Sequence, residues 1–431
     1  MDHTSKDNII PRDDLPREEI KEKGEQVGPL DVPQEEAHES HATPADAMLA
    51  RAPLPIRHTV PDTEVEASQP AQKNIREATG DAGAKPPLSI FKRRVRKFKS
   101  LKRGYWSFII LTFLYAISFA LPLLINSKAL ILHYNGTTYF PAFGTFHSGQ
   151  EFGQTGIKAE ANYRTLHDQF KQSGGDNWVV MPLYPWDPYE NDYNAVIQPP
   201  SEQHLFGTDD TGRDVFARMC YGFNVSISFA LVLTLLTYVL GTVAGAAMGY
   251  YGGKIDLYFQ RLIEIWETIP ALNVIIIVSA ILVPNFLILV SLLVLFGWTA
   301  MTAYMRGEVY REKAKDYVAA AISLGATDSQ IIFKHILPNS LTPLIASFPF
   351  AIVGGITALV GLDFLGFGLA PPTSSWGQMV SVGLTNFSGD FSNWWLVLVP
   401  LSAMFLTLLL VTFIGEGIRE AFDPKVFSRL R

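Results

Sequence analysis

Three carboxylates, Asp209, Asp210 and Asp214, fall within six positions of the stretch Gly207-Thr208-Asp209-Asp210-Thr211-Gly212-Arg213-Asp214-Val215-Phe216-Ala217-Arg218. That density invites a cation site, yet the spacing is not that of an EF-hand loop, and Arg213 and Arg218 stand near enough to neutralise it. A capped turn leading into an amphipathic helix is the preferred reading. Gly252-Gly253-Lys254 suggests a phosphate cradle, but Ile255 follows where Ser or Thr belongs and the glycine frame is missing, so this chain is not expected to hydrolyse ATP. There is no His-Glu-x-x-His, no Cys/His metal spacing and no pair of aspartates inside an apolar run, so neither a catalytic nor a metal nor a cofactor site is expected. The single cysteine, Cys220, excludes an intramolecular disulfide. Asp256, Gln260, Glu264 and Glu267 form a polar stripe at helical spacing, with Arg261 able to pair with Glu264. The stripe lines the inner vestibule of a pore or faces water and a neighbouring loop, and the spacing does not choose between them.

The elements that must carry these residues are apolar. The 431 residues are 48% hydrophobic with a mean hydropathy of +0.16, too apolar for an ordinary soluble enzyme of this size. Apolar runs cover Tyr105 to Ile125 and then 223–250, 269–283, 286–305, 341–362 and 394–415, most of them near the ~20 residues a bilayer requires. The expected fold is an all-α multi-pass membrane protein with six transmembrane helices. The third run begins earlier, on an amphipathic turn from Asp256, and Pro270 bends it or starts its apolar part. None of the runs contains Asp, Glu, Lys, Arg or His, the residues that ion-coupled carriers place inside the membrane, so free energy must come from a partner.

Residues 1–90 hold 18 acidic and 10 basic side chains and almost no aromatics, which predicts a disordered acidic tail without the apolar core of an export signal. Residues 91–126 then join a basic segment to the first span. Its eight basic residues, from Lys92 to Arg103, place that end in the cytoplasm, and the adjoining span argues against a nucleic-acid partner. Six spans bring both termini to the same side. Arg306, Arg311, Lys313, Lys315 and Lys334, and at the chain end Arg419, Lys425, Arg429 and Arg431 in the tail 425–431, agree with a cytoplasmic location. The segment 127–206 falls outside as a small loop-rich insert with a few short strands. Its aromatics (Tyr134, Tyr139, Phe140, Trp178, Tyr184, Trp186, Tyr189) suit packing or an interfacial belt, with peptide contact as the alternative for Trp186 and Tyr189.

The loop between the fourth and fifth runs, within 307–338, is written as two short capped helices. In Asp316-Tyr317-Val318-Ala319-Ala320-Ala321-Ile322-Ser323-Leu324-Gly325, the residues Tyr317, Ala320, Ala321 and Leu324 recur at helical spacing as one apolar stripe, and Gly325 supplies a left-handed C-terminal cap. Thr327-Asp328-Ser329-Gln330 fits a capping box. Ile331, Ile332 and Ile336 are expected to be buried on one side, and Pro338 to close the second helix. A simple connector needs neither stripe nor caps, so the loop is expected to dock into another protein. An amphipathic pair lying on lipid is the alternative.

The pattern Ala320-Ala321, Gly325, Leu337-Pro338 resembles the coupling loop of ABC-importer permeases, the knob that sits in a cleft of the ATPase subunit. The resemblance implies ATPase coupling by Tyr317, Ala319, Ala320, Ala321, Leu324, Gly325, His335 and Pro338. Ala319 stands where the family usually carries Glu, so the salt bridge of that position is not carried over. From about Arg103 to Pro424 the chain is similar to the C-type permeases of dipeptide and oligopeptide importers. The match includes Gly207 to Arg218 and Gly415-Glu416-Gly417-Ile418-Arg419-Glu420-Ala421-Phe422-Asp423-Pro424. Arg103-Gly104-Tyr105-Trp106, Tyr134-Asn135-Gly136, Tyr139-Phe140-Pro141, the run Tyr250 to Leu257 and the run Asp363 to Leu369 narrow it to one peptide-importer branch.

What this implies is a type I importer permease fold, with 207–424 as the permease domain, in the bacterial inner membrane. The implied partners are a second homologous permease, an ABC ATPase with two nucleotide-binding domains that bind the ATP, an external peptide-binding protein and a peptide as cargo. A channel or secondary transporter, and a scaffold that moves nothing, are the competing classes. Gly354-Gly355 in the fifth run permits close helix approach or a place beside a pore.

Overall fold

The computed structural model describes residues 90–423 apart from 145, 156–158, 388, 390 and 391. The tails expected at 1–90 and 425–431 thus lie outside the described residues, except for Ile90. The basic segment is helix α1 (Ile90–Ser100), docked by Arg94 over the Phe422 ring at 4.8 Å and by Lys97 to Glu420 at 3.2 Å. Arg94 Nη1 also donates to Thr342 Oγ1. The first described helix, the last helix and the helical residue Thr342 therefore meet at one place. The first apolar run is α2 (Lys102–Ser118), 17 residues long, which tightens at Phe119 before a short turn at Leu121–Leu124. At 1.5 Å per residue α2 rises about 26 Å, slightly less than the ~30 Å hydrocarbon core.

The insert is a three-stranded antiparallel sheet ordered β2-β1-β3, from β1 (Ile131–Tyr134), β2 (Thr137–Tyr139) and β3 (Trp178–Val180). Asn135 and Gly136, both at positive φ, make the two-residue turn that matches strand twist. Helix α3 (Tyr163–Ser173), capped by the Asn162 side chain, closes the insert's own core of Leu132, Phe152, Tyr163, Leu166 and Val179. Tyr134 and Tyr139 pack edge-on against Phe152, and Trp186 is held between Arg164 and His204. These aromatics serve packing.

Asp214 caps α4 (Val215–Tyr251), accepting from Ala217 N at 2.7 Å with one oxygen and from the Tyr184 hydroxyl at 2.6 Å with the other. Asp209 is filled by Thr211 N, Thr211 Oγ1, Arg213 N and Arg213 Nε, which makes the carboxylate-rich stretch a capped turn tying the insert to α4. Among the described residues no group of three His, Cys, Asp or Glu side chains is placed to hold a metal ion.

After Gly252 come α5 (Gly253–Glu267) and α6 (Ala271–Ile281), bent by 61° at Pro270, whose ring removes a helix donor. Then follow α7 (Phe286–Lys313), the short α8 (Asp316–Ser323), the long rod α9 (Asp328–Phe364), α10 (Trp376–Thr385) and α11 (Trp395–Phe422). Among the described helices α4, α7, α9 and α11 are long and apolar enough to cross a membrane, and the bent pair α5–α6 makes five.

These helices meet through small residues. Gly241, Gly245 and Gly249 line α4 where it crosses α7: a Cβ added at Gly245 would lie 2.5 Å from Thr302 O and 2.8 Å from Met305 Cβ. Gly355 sits against Ala230 of α4, whereas Gly354 beside it has open space, so close approach in α9 belongs to Gly355 alone of that pair. Gly104 and Gly417 bring α2 onto α11. Of the polar stripe on α5, Asp256 accepts from Arg306 Nη2 at 2.6 Å and from the Tyr310 hydroxyl at 2.7 Å, and Gln260 accepts from Arg306 Nη1. Its upper half is thus a tie to α7. Glu264 pairs with Arg261.

Candidate functional site

The loop between α7 and α9 is rigid by construction. Lys313, Ala314 and Lys315 end one helix and lead into the next, and α8 closes with Gly325 N donating to Ile322 O and Ala326 N to Ala321 O around Gly325 at φ 78°. That pair of bonds is a Schellman cap, and the left-handed residue it needs is the glycine. Thr327 Oγ1 accepts from Gln330 N while the Gln330 side chain accepts from Thr327 N, which completes the expected capping box. Ile331 and Ile336 are buried and Ile332 half-buried, with Val318, Met305, Val309 and Leu344 around them. The underside of the loop is therefore a small core of its own. Gly325→Val, with no neighbour within 4 Å of an added Cβ, is expected to cost about 1–2 kcal/mol through φ alone. Faster amide exchange confined to 316–330 would show it, and unchanged exchange there would contradict the cap.

Pro338 does not close the second helix. The rod continues through it, with a π-helical segment at Ile331–Ile336. A proline at position 338 leaves the Lys334 carbonyl without its helical donor, and a widened turn just upstream absorbs the mismatch.

The predicted single stripe also divides. Val318 and Ala321 face inward, while Ala319, Ala320, Ile322, Leu324 and Phe333 face out, with Leu324 87% exposed, Phe333 67% and Ile322 53%. Tyr317 leaves the stripe for a polar role. Its hydroxyl donates to Glu312 Oε2 at 2.6 Å and accepts from Asn339 Nδ2 at 3.1 Å, linking α7, α8 and α9. Burial, and then the Glu312 carboxylate, push its phenol above the ordinary tyrosine range. Asn339 Nδ2 also holds the His335 carbonyl at 2.9 Å, so His335 enters the clamp through its backbone. Tyr250 of α4 reaches in to Asp328 at 2.7 Å. Glu312, Ile322 and Phe333 escaped the sequence reading. The last two are visible in sequence as large apolar residues off the stripe, but Glu312 signals nothing until the helices are placed.

The loop thus presents exposed Ile322, Leu324 and Phe333 on a frame capped on both sides, with its underside already packed. Residues 241–428 match the family model described as binding-protein-dependent transport system inner membrane component. The inner membrane ABC transporter permease protein YejE of Escherichia coli is 38% identical over 341 residues, which cover 77% of this chain and 96% of that protein. The chain belongs to the ABC-transporter permease family. The permease is also similar to the peptidoglycan transport system permease protein YejE of Agrobacterium fabrum, 34% identical over 78% of this chain and 93% of the relative. To the dipeptide transport system permease protein DppC of Bacillus subtilis it is 36% identical over 53% of this chain and 71% of the relative. These relatives are transport permeases rather than enzymes. The family match takes in the whole α7–α9 loop of the permease.

Proposed function

We propose that this chain is the membrane subunit of an ATP-driven importer that moves peptides across the bacterial inner membrane, coupled to a separate ATPase through α8. The observation that carries the proposal is the exposed Ile322, Leu324 and Phe333 on a capped loop whose underside is already satisfied. A surface of that kind has a steric partner, and the ATP that the chain has no frame to bind is supplied there. Peptide as cargo is carried by the relatives' names. In this proposal the ATPase-coupling surface comprises Tyr317, Ala319, Ala320, Ala321, Leu324, Gly325, His335 and Pro338, with Tyr317 and His335 shaping it from within and Ile322 and Phe333 added to its face.

The full assembly in this proposal comprises a second, YejB-like permease, a YejF-like ATPase with two nucleotide-binding domains and a YejA-like peptide-binding protein. The cargo passes through a cavity between the two permeases that opens alternately to either side. Six spans, with α2 and its following turn as the first, leave the insert outside and both chain ends in the cytoplasm. The shared end at which α1, the end of α11 and residue Thr342 meet supports that arrangement.

Two measurements test this. The chain is expected to co-purify with an ATPase whose turnover responds to added peptide, and an ATPase indifferent to every peptide would overturn the cargo. For the topology, single cysteines at Ser173 and Ser329, both exposed, are placed in a Cys220→Ser background. An impermeant thiol reagent on intact cells, with access through the outer membrane, is expected to label the first alone. Labelling at position 329 would reverse the arrangement.

A further inference from the structure

Beside the insert, the ends of α4, α6, α9 and α10 border a half-open cavity of about 450 Å³. Three polar side chains that line it have unsatisfied atoms. Arg218, in the first turn of α4, is 2% exposed, and its Nε and Nη1 have no hydrogen-bond partner. The carboxylate nearest to it, Asp209, stands 3.6 Å from Nε and already accepts from four other donors. At the end of α9, Asp363 accepts from Leu369 N at 2.7 Å through Oδ1 and has the Ser375 side chain at its carboxyl as a second, hydrogen-bonding neighbour, while the buried Oδ2 lacks a well-aligned donor. Ser279 of α6 presents a buried hydroxyl without a partner.

A guanidinium and a carboxylate, each taken out of water and each left with unmade bonds, are costly in a protein that uses neither. Arg213 also lines the cavity but its Nε is taken by Asp209 at 2.8 Å, so Arg218 and Asp363 are the cationic and anionic lining groups with unmade bonds. The volume is within the range of small-molecule sites. We propose that this cavity is a binding subsite for a short peptide with free ends, whose terminal carboxylate is taken by Arg218 and whose ammonium and N–H groups are taken by Asp363 and Ser279. The assignment rests on the peptide-import function proposed above, and under that topology the cavity lies at the external end, where cargo arrives. Arginine presents a planar fork of donors that matches a carboxylate, which a lysine would not reproduce.

The test uses the complete importer, with its second permease, ATPase and binding protein, reconstituted in proteoliposomes. ATP-driven uptake is measured for trialanine, trialanine amide and N-acetyl-trialanine. The parental transporter is expected to favour trialanine over its amide by roughly tenfold in kcat/KM, the worth of one charge-assisted contact. Arg218→Gln is expected to bring that ratio towards one by raising KM for trialanine, with the rate for the amide little changed. Asp363→Asn is expected to do the same for the N-acetylated peptide and to spare the preference for a free carboxylate.

If Arg218→Gln slows all three peptides equally, the guanidinium is structural and the subsite is refuted. A preference that survives Arg218→Gln belongs to the binding protein and refutes it too. Should that variant fail to reach the membrane, the Asp363→Asn ratios decide by themselves. A parental complex that takes up no peptide fells the importer function and this subsite together, whereas uptake indifferent to the peptide ends fells the subsite alone.

Discussion

Ala320→Arg is expected to leave the permease in the membrane at parental abundance and to abolish ATP-driven uptake. Ala320 is exposed on α8, between the inward-facing Ala321 and the outward Ala319, so an arginine there disturbs neither the underside core nor the cap at Gly325. What it meets is the partner. Adding bulk and charge to a close-packed apolar contact costs on the order of 2–4 kcal/mol at a central interface position, a factor of about 30 or more in docking. ATPase activity is then lost or no longer answers to peptide. Leu324→Glu attacks the most exposed apolar residue of the same knob and is expected to behave likewise. Normal expression with parental uptake in both variants would remove the loop from the coupling step.

Gly245→Leu is expected to lower sharply both the stability of the permease and the amount that accumulates. The Cβ would meet Thr302 O, Met305 Cβ and Arg306 N within 2.9 Å, and two of those three are backbone atoms that no rotamer change can move. The helices α4 and α7 must separate, at a cost at or above the upper end of the ~1–3 kcal/mol typical of overpacking. Gly354→Leu is the matched control, since nothing lies within 4 Å of its added Cβ. Thermal unfolding in detergent is expected to fall sharply for the first variant and barely for the second. Equal losses would mean that the α4–α7 crossing does not depend on the glycines.

Much of this architecture was legible in sequence because the signals were strong and local. The apolar runs at 223–250, 286–305, 341–362 and 394–415 lie in α4, α7, α9 and α11, and the turn chemistry of Gly325 and Thr327–Gln330 is as the residue types dictate. The misreadings have a common physical origin in how neighbouring helices are set against one another, which spacing within one helix does not reveal. Tyr317 fits an apolar stripe by spacing, but a carboxylate on a different helix, Glu312, claims its hydroxyl. Pro338 is a helix terminator in isolation, and the membrane rod overrides it by widening the turn before it. Gly241, Gly245 and Gly249 were hidden in a uniformly apolar run, where only the facing Met301, Met305 and Val309 reveal their purpose. Arg218 and Asp363 lie just outside the apolar runs, so a search for charges inside the spans passes over both.

The helix α7 has a mechanical consequence. Its 28 residues make a rod of about 42 Å. At one end Tyr317 and Glu312 clamp α8 to it. At the other, Pro284 sits two residues before its first turn, accepts from Ala370 N at 3.0 Å and borders the cavity of Arg218 and Asp363. Between them, Arg306 fastens the rod to α5, and the glycine crossing fastens it to α4. A knob so attached has no swivel of its own. If the ATPase acts at Leu324 as proposed, a torque there is expected to turn the whole strut about the Gly245 crossing as a fulcrum and to swing the far tip, at the rim of the cavity, in the opposite sense.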